Sequence, residues 1–113
     1  MATPLQLLMV EDSDDDAQLV LVKLRRAGYN IEFIRVDNEP ELRAALEAKN
    51  WQIVVSDYSM PGFSGLEALQ ILRENDQDTP FILVSGTVGE EIAVEAMRCG
   101  ANDYIMKDNL ARL

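Results

Sequence analysis

Three carboxylates, a serine and a lysine stand out because each follows an apolar run short enough to be a β-strand. Glu11 and Asp12 follow Gln6-Leu7-Leu8-Met9-Val10, and Asp57 follows Ile53-Val54-Val55-Ser56. Ser85 follows Phe81-Ile82-Leu83-Val84, and Lys107 follows Asp103-Tyr104-Ile105-Met106. In an open α/β sheet, ligands bind outside the carboxyl ends of the strands, where all five side chains would then collect. Carboxylates gathered in one place repel one another and are costly without a cation. Their hard oxygen ligands suit Mg²⁺, which takes few protein carboxylates and keeps several waters. A carboxylate held ionised between Mg²⁺ and an ammonium group is a poor general base, but it can act as a nucleophile and form an aspartyl-phosphate. Mg²⁺ and Lys107 would neutralise charge building up on a transferring phosphoryl group, and the Ser85 hydroxyl could bind a phosphoryl oxygen once transfer is complete.

Each of these residues also has a plainer role. The acidic run from Glu11 to Asp16 suits a solvated helix start matched to the helix dipole. Asp57 suits a turn ahead of Pro61-Gly62, Ser85 a cap, and Lys107 an exposed strand end. Tyr104 is a β-former with a polar tip. Arg25-Arg26 read as a solvated helix end, Trp51 as an anchor for the turn into the third strand, and Cys99 as a small apolar filler. Only the joint placement at strand ends favours chemistry.

The elements that must position these residues follow from periodicity. Strands are expected over 6–10, 31–36, 53–55, 81–84 and 103–106, from short β-branched or apolar runs. After the first strand, Ala17, Val20, Leu21 and Leu24 form the stripe of an amphipathic helix, with Ser13 or Asp14 as N-cap and Gly28 closing it. Pro40 suits the first turn of a second helix with Leu42, Ala45 and Leu46 inward. A third helix is expected over 65–74 with Leu66, Leu69 and Leu72 inward. A fourth is expected over 89–99, with Ala93, Ala96, Met97 and Gly100 on one face. Residues 109–113 would begin a fifth helix, cut short by the end of the chain. This strand–helix alternation with short loops predicts a parallel sheet covered by helices on both faces.

Bulk properties narrow the function further. The chain has 113 residues, of which 48% are hydrophobic, enough for one domain spanning 1–113. Twenty acidic against ten basic residues give a net charge of −10, which disfavours nucleic-acid binding by this domain. With no histidine, the chain lacks the usual zinc sites, Ser-His-Asp and Cys-His arrangements, and a phosphohistidine of its own. No apolar stretch approaches a membrane span, no signal-peptide pattern opens the chain, and a single cysteine fits a reducing cytoplasm.

Taken together, these residues resemble the receiver domain of two-component response regulators, chemotaxis-regulator-like in type. The resemblance covers essentially the whole chain. It rests on Glu11-Asp12, on Asp57 within SDYSMPGFSG, on Ser85, and on Tyr104 and Lys107 within DYIMK. It implies a flavodoxin-like, doubly wound, five-stranded sheet in the order 2-1-3-4-5. It also implies that Asp57 accepts a phosphoryl group from the phosphohistidine of a sensor histidine kinase or histidine phosphotransfer protein. Asp12, Asp57 and the Ser59 backbone carbonyl would bind Mg²⁺ directly, with Glu11 acting through a water. Lys107 would pair with the phosphoryl group, Ser85 would move towards it, and Tyr104 would change rotamer. The fourth helix, fifth strand and fifth helix would carry the signal to a fused or downstream output domain.

Three departures from the family pattern bear on these expectations. Asp108 replaces the proline that often follows the lysine, so the Lys107–Asp108 bond is expected to be trans. Ser59 and Thr87 are both small at positions that tune phosphoryl lifetime. A truncated fifth helix would leave apolar surface on one face of the sheet, inviting self-association or marking a shortened chain.

The expected role is that of a signalling module more than an enzyme, although it contributes to its own phosphorylation and dephosphorylation. Two alternatives use the same fold. One is a phosphorylation-independent binding module, which would not need the intact set of acids, Ser85 and Lys107. The other is a Mg²⁺-dependent phosphohydrolase, which should carry a general acid two residues after the nucleophile, where Ser59 stands.

Overall fold

The computed structural model describes residues 3–48, 50–58, 63–75, 78–86 and 90–106, with backbone alone at 75 and 90–93. In chain order the elements are β1 (Thr3–Val10), α1 (Asp14–Arg26), β2 (Tyr29–Val36), α2 (Glu39–Ala48), β3 (Ile53–Asp57), α3 (Gly65–Asn75), β4 (Phe81–Ser85), α4 (Glu90–Arg98) and β5 (Asp103–Met106). The five strands form one sheet in the order β2-β1-β3-β4-β5, every adjacent pair parallel. This is the doubly wound flavodoxin-like arrangement expected from the sequence, with four helices among the described residues. The truncated fifth helix and the Lys107–Asp108 bond lie outside them.

Alternation along the strands divides the core into two layers, because successive strand side chains face opposite sides. On one side Leu8, Val10, Val54, Phe81 and Leu83 meet Leu42, Ala45, Leu69, Leu72 and Ala96 from α2, α3 and α4. On the other, Leu7, Met9, Val55, Val84 and Ile105 meet Ala17, Val20, Leu21 and Leu24 of α1. Central strands buried on both faces must be apolar without interruption, which is why β1 ends in Leu-Leu-Met-Val.

Local chemistry explains the ends of α1. Ser13 is the N-cap, its hydroxyl accepting the Asp16 N–H at 3.3 Å. Asp14, Asp15 and Asp16 fill the first turn, and Lys23, Arg25 and Arg26 the last, so both dipole ends are matched. Beyond the C-cap Ala27, Gly28 takes the left-handed φ of +101° that lets the chain reverse into β2.

The structure departs from the expected elements in two places. β1 and β2 begin earlier than their apolar runs, at Thr3 and Tyr29, because they pair in register over eight residues and backbone pairing does not require apolar side chains. Met97, expected on the buried face of α4 beside Ala96, is half exposed, and Gly100 is exposed as well. Adjacent helical residues point about 100° apart, and Ala96, fully buried, takes the inward direction. Ala93, expected on the same face, lies where only the backbone is described.

Trp51 ties α2 to β3. Its ring is buried and its Nε1–H donates to the Ala45 carbonyl at 2.9 Å, satisfying an acceptor in the last turns of α2. Replacing Trp51 by phenylalanine keeps an aromatic ring but removes that donor. Urea unfolding should then show a loss of about 1–3 kcal/mol, from the lost buried hydrogen bond together with a smaller ring.

Arg73, to which the sequence assigned no role, forms a clasp at the amino end of the sheet. Its guanidinium donates to the carbonyls of Thr79 at 2.7 Å and Gly100 at 2.7 Å, and to Asn102 Oδ1 at 3.0 Å. Asn102 Oδ1 also accepts the Phe81 N–H at 2.8 Å, so one arginine on α3 steadies the starts of both β4 and β5.

Candidate functional site

The strand register brings the acidic residues together. Val10 pairs with Ser56 across β1 and β3, so the next residues on each strand, Glu11 and Asp57, emerge side by side. Asp57 in turn pairs with Val84, which puts Ser85 one step further along the neighbouring strand. The carboxylate oxygens of Glu11, Asp12 and Asp57 lie within 4.8 Å of one another. Glu11 and Asp57 are each only 5% exposed, whereas Asp12 opens to solvent.

Backbone contacts hold these groups where they are. The Glu11 N–H donates to the Val36 carbonyl at 2.9 Å, extending the ladder with β2 one residue past the strand. The Glu11 carboxylate accepts the Ser13 N–H at 3.1 Å, which turns it over the start of α1. The Ser56 hydroxyl donates to the Asp57 carbonyl at 3.0 Å. Tyr58 N–H continues the ladder to the Val84 carbonyl at 2.9 Å, and the Tyr58 carbonyl accepts the Gly65 N–H at 3.0 Å. The loop that leaves β3 is thereby pinned at its two ends.

Of the remaining residues expected at the site, Ser85 is buried at the end of β4, and Tyr104 is half-buried on β5 against the core beneath α4. Ser59 and Lys107 lie outside the described residues. Two groups that the sequence reading passed over bear directly on the site. A Cβ built on Gly65 would come 2.5 Å from the Asp57 carbonyl oxygen and 2.5 Å from Leu83 Cδ1, so only glycine lets α3 start this close to Asp57. Arg35, near the end of β2, donates from Nη1 to the Glu11 carbonyl at 3.1 Å. The one sequence signal for Arg35 is a cation near the end of the strand that follows an acidic helix start. Gly65 carries only the weak signal of a small residue opening a helix.

Three carboxylates this close make a donor set of hard oxygens suited to an oxygen-preferring divalent cation such as Mg²⁺. Their mutual repulsion makes such an ion the natural counter-charge.

The chain is similar to known proteins in both sequence and fold. The model of the response regulator receiver domain matches residues 7–113. The C4-dicarboxylate transport transcriptional regulatory protein DctD of Pseudomonas aeruginosa is 38% identical over 103 residues, covering 90% of this chain and 22% of that protein. The response regulator ArlR of Staphylococcus saprophyticus is 30% identical over 102 residues, covering 90% of this chain and 45% of that protein. The chain thus spans less than half the length of these curated relatives. Among solved structures, NtrX from Brucella abortus superposes with a TM-score of 0.83 at 29% identity, over 99% of this chain and 25% of that one. The receiver domain of the Francisella response regulator 1452 superposes with a TM-score of 0.77 at 27% identity, over 93% of this chain and 85% of that one.

Proposed function

The chain belongs to the response regulator receiver domain family, and from that premise we propose that it is the phosphoacceptor unit of a two-component phosphorelay with Asp57 as the acceptor. The observation that carries this reading is the meeting of Glu11, Asp12 and Asp57, from two neighbouring strand ends, within 4.8 Å. An Asp57 oxygen attacks the phosphorus of a phosphohistidine on a sensor kinase or phosphotransfer protein. A P–O bond forms as the P–N bond breaks, and the imidazole leaves with the electron pair and takes up a proton. Glu11, Asp12, Asp57 and the Ser59 carbonyl would hold Mg²⁺, which when bound offsets negative charge on the transferring phosphoryl group.

The chain's own groups do the rest. The hydrogen bonds of Ser56 and Tyr58 fix the backbone on either side of the nucleophile. Ser85, one residue beyond the strand partner of Asp57, would bind a phosphoryl oxygen after transfer, with Lys107 as the cationic partner. Phosphorylation adds about −1.5 to −2 charges to a site already rich in carboxylates, enough to bias Ser85 and Tyr104 between two arrangements. The readout surface is the α4–β5 side and the segment after it. The whole process belongs in the cytoplasm, with an output domain on the same polypeptide or a separate partner. A net charge of −10 makes this domain an unsuitable DNA contact, so any transcriptional output would act through another domain. No helix among the described residues is long and apolar enough to cross a membrane.

Intact mass after incubation with acetyl phosphate tests the proposal. One phosphoryl group should be gained with Mg²⁺ present and none with a chelator. If no gain is seen, beryllofluoride distinguishes rapid loss from incapacity: a structural response to it by NMR points to rapid loss. Silence to both reagents would instead favour a phosphorylation-independent binding module.

A further inference from the structure

We propose that Arg35 is a positioning residue for the divalent-cation site, acting through the backbone of Glu11; this rests on the reading of Glu11, Asp12 and Asp57 as that site. Glu11 is the first residue beyond the β1–β2 ladder, whose last pair is Val10 with Val36. Its N–H is still held by the Val36 carbonyl at 2.9 Å, but its own carbonyl has passed the end of the ladder. Arg35 donates to it from the neighbouring strand. It stands level with Met9, two residues earlier on β1, and its long side chain reaches forward to bring Nη1 to 3.1 Å from the Glu11 oxygen.

That carbonyl belongs to the peptide joining Glu11 to Asp12. Rotation of this peptide would swing the Asp12 carboxylate relative to the other two. Like-charge repulsion favours such a rotation whenever the cation is absent, because it carries Asp12 further into solvent. The guanidinium opposes it twice, by a charge-assisted hydrogen bond to the carbonyl and by placing a positive group beside the acidic turn. Its ion pair with Asp14 is long, 4.0 Å, with side-chain exposures of 33% and 69%, and adds little. The hydrogen bond to Glu11 therefore carries the effect. Positioning and charge predict opposite consequences for the metal. A positive group near a cation site weakens binding through space, whereas preorganised ligands strengthen it.

Calorimetric titration of the full chain with Mg²⁺ alone separates the two. Arg35→Met should weaken Mg²⁺ about threefold to tenfold, less than the roughly 10–100-fold usual for groups behind metal ligands because the contact is only part-buried. Arg35→Lys, which keeps a cationic donor, should recover most of that loss, and Asp14→Asn should bind Mg²⁺ as the parent does. Unchanged or tighter binding in Arg35→Met would overturn the inference, the latter by showing that through-space charge prevails. Equal weakening in Arg35→Met and Arg35→Lys, with melting temperatures lowered in chelator, would assign Arg35 to strand stability and overturn it too. A parent chain that binds no Mg²⁺ would remove the cation-site reading itself, a result distinguishable from failure of the arginine variants alone.

Discussion

Alanine in place of Gly65 is expected both to destabilise the fold and to slow phosphoryl uptake. The added methyl would sit 2.5 Å from the Asp57 carbonyl oxygen, 2.5 Å from Leu83 Cδ1 and 3.0 Å from the Tyr58 Cα. Leu83 is fully buried and cannot swing into solvent, and the other two contacts are backbone. Relief must come from moving the start of α3 away or from tilting the Asp57–Tyr58 peptide, which would also strain the 3.0 Å hydrogen bond from Gly65 to Tyr58. Overpacking of this kind costs about 1–3 kcal/mol. A displacement of the nucleophile of about 1 Å can cost about a hundredfold in rate. Urea unfolding and the initial rate of labelling by acetyl phosphate measure the two effects. Gly28→Ala is the control: its φ of +101° is strained for alanine, but no atom lies within 4 Å of the added methyl. It should lose about 1–2 kcal/mol and label at the parent rate. Gly65→Ala with parental stability and labelling would show that α3 can retreat without disturbing Asp57.

Asp57→Asn should abolish phosphoryl uptake and, in chelator, raise thermal stability. The amide cannot attack phosphorus, so no mass gain should appear under conditions that label the parent chain. The stability effect comes from repulsion, because Asp57 and Glu11 are both nearly buried and their carboxylates lie within 4.8 Å. Two such charges repel by about 3 kcal/mol at an effective dielectric constant near 20, before neighbouring donors and residual solvent reduce it. A net gain of about 1 kcal/mol is expected, or roughly 4 °C in melting temperature for a domain of this size. Mg²⁺ should stabilise the parent and have much less effect on the variant. Labelling of the variant at the parental level would remove Asp57 as acceptor. A lower melting temperature in chelator would mean that attractive contacts of Asp57 outweigh its repulsion with the other acids.

Features governed by near neighbours in the chain were legible beforehand. The stripe of Ala17, Val20, Leu21 and Leu24 and the Gly28 reversal depend on contacts a few residues apart and appear as read, and of the two N-caps the sequence offers, Ser13 and Asp14, the structure takes Ser13. The apolar runs also placed each strand, and so put Glu11, Asp57 and Ser85 at strand ends. Where periodicity was thin, the reading failed. On short α4 it could not tell Ala96, which is buried, from Met97, which is not. The early starts of β1 and β2 are not legible because Thr3, Pro4, Gln6 and Asn30 interrupt the apolar pattern around Leu5 and Tyr29, and these residues are held by strand pairing.

Strand order was suggested by family resemblance, since alternation of strands and helices alone is compatible with several orders. Register came only with the fold: the pairing of Val10 with Ser56 is what sets Glu11 beside Asp57. The need for glycine at 65, the reach of Arg35 to Glu11 and the clasp of Arg73 likewise depend on contacts between distant segments, which the weak local signals at 35 and 65 do not specify. Chain-local chemistry thus determined which segments are strands and helices and which residues end them. Tertiary packing decided how those ends meet, because distances between groups tens of residues apart are set by sheet register and helix approach rather than by spacing along the chain.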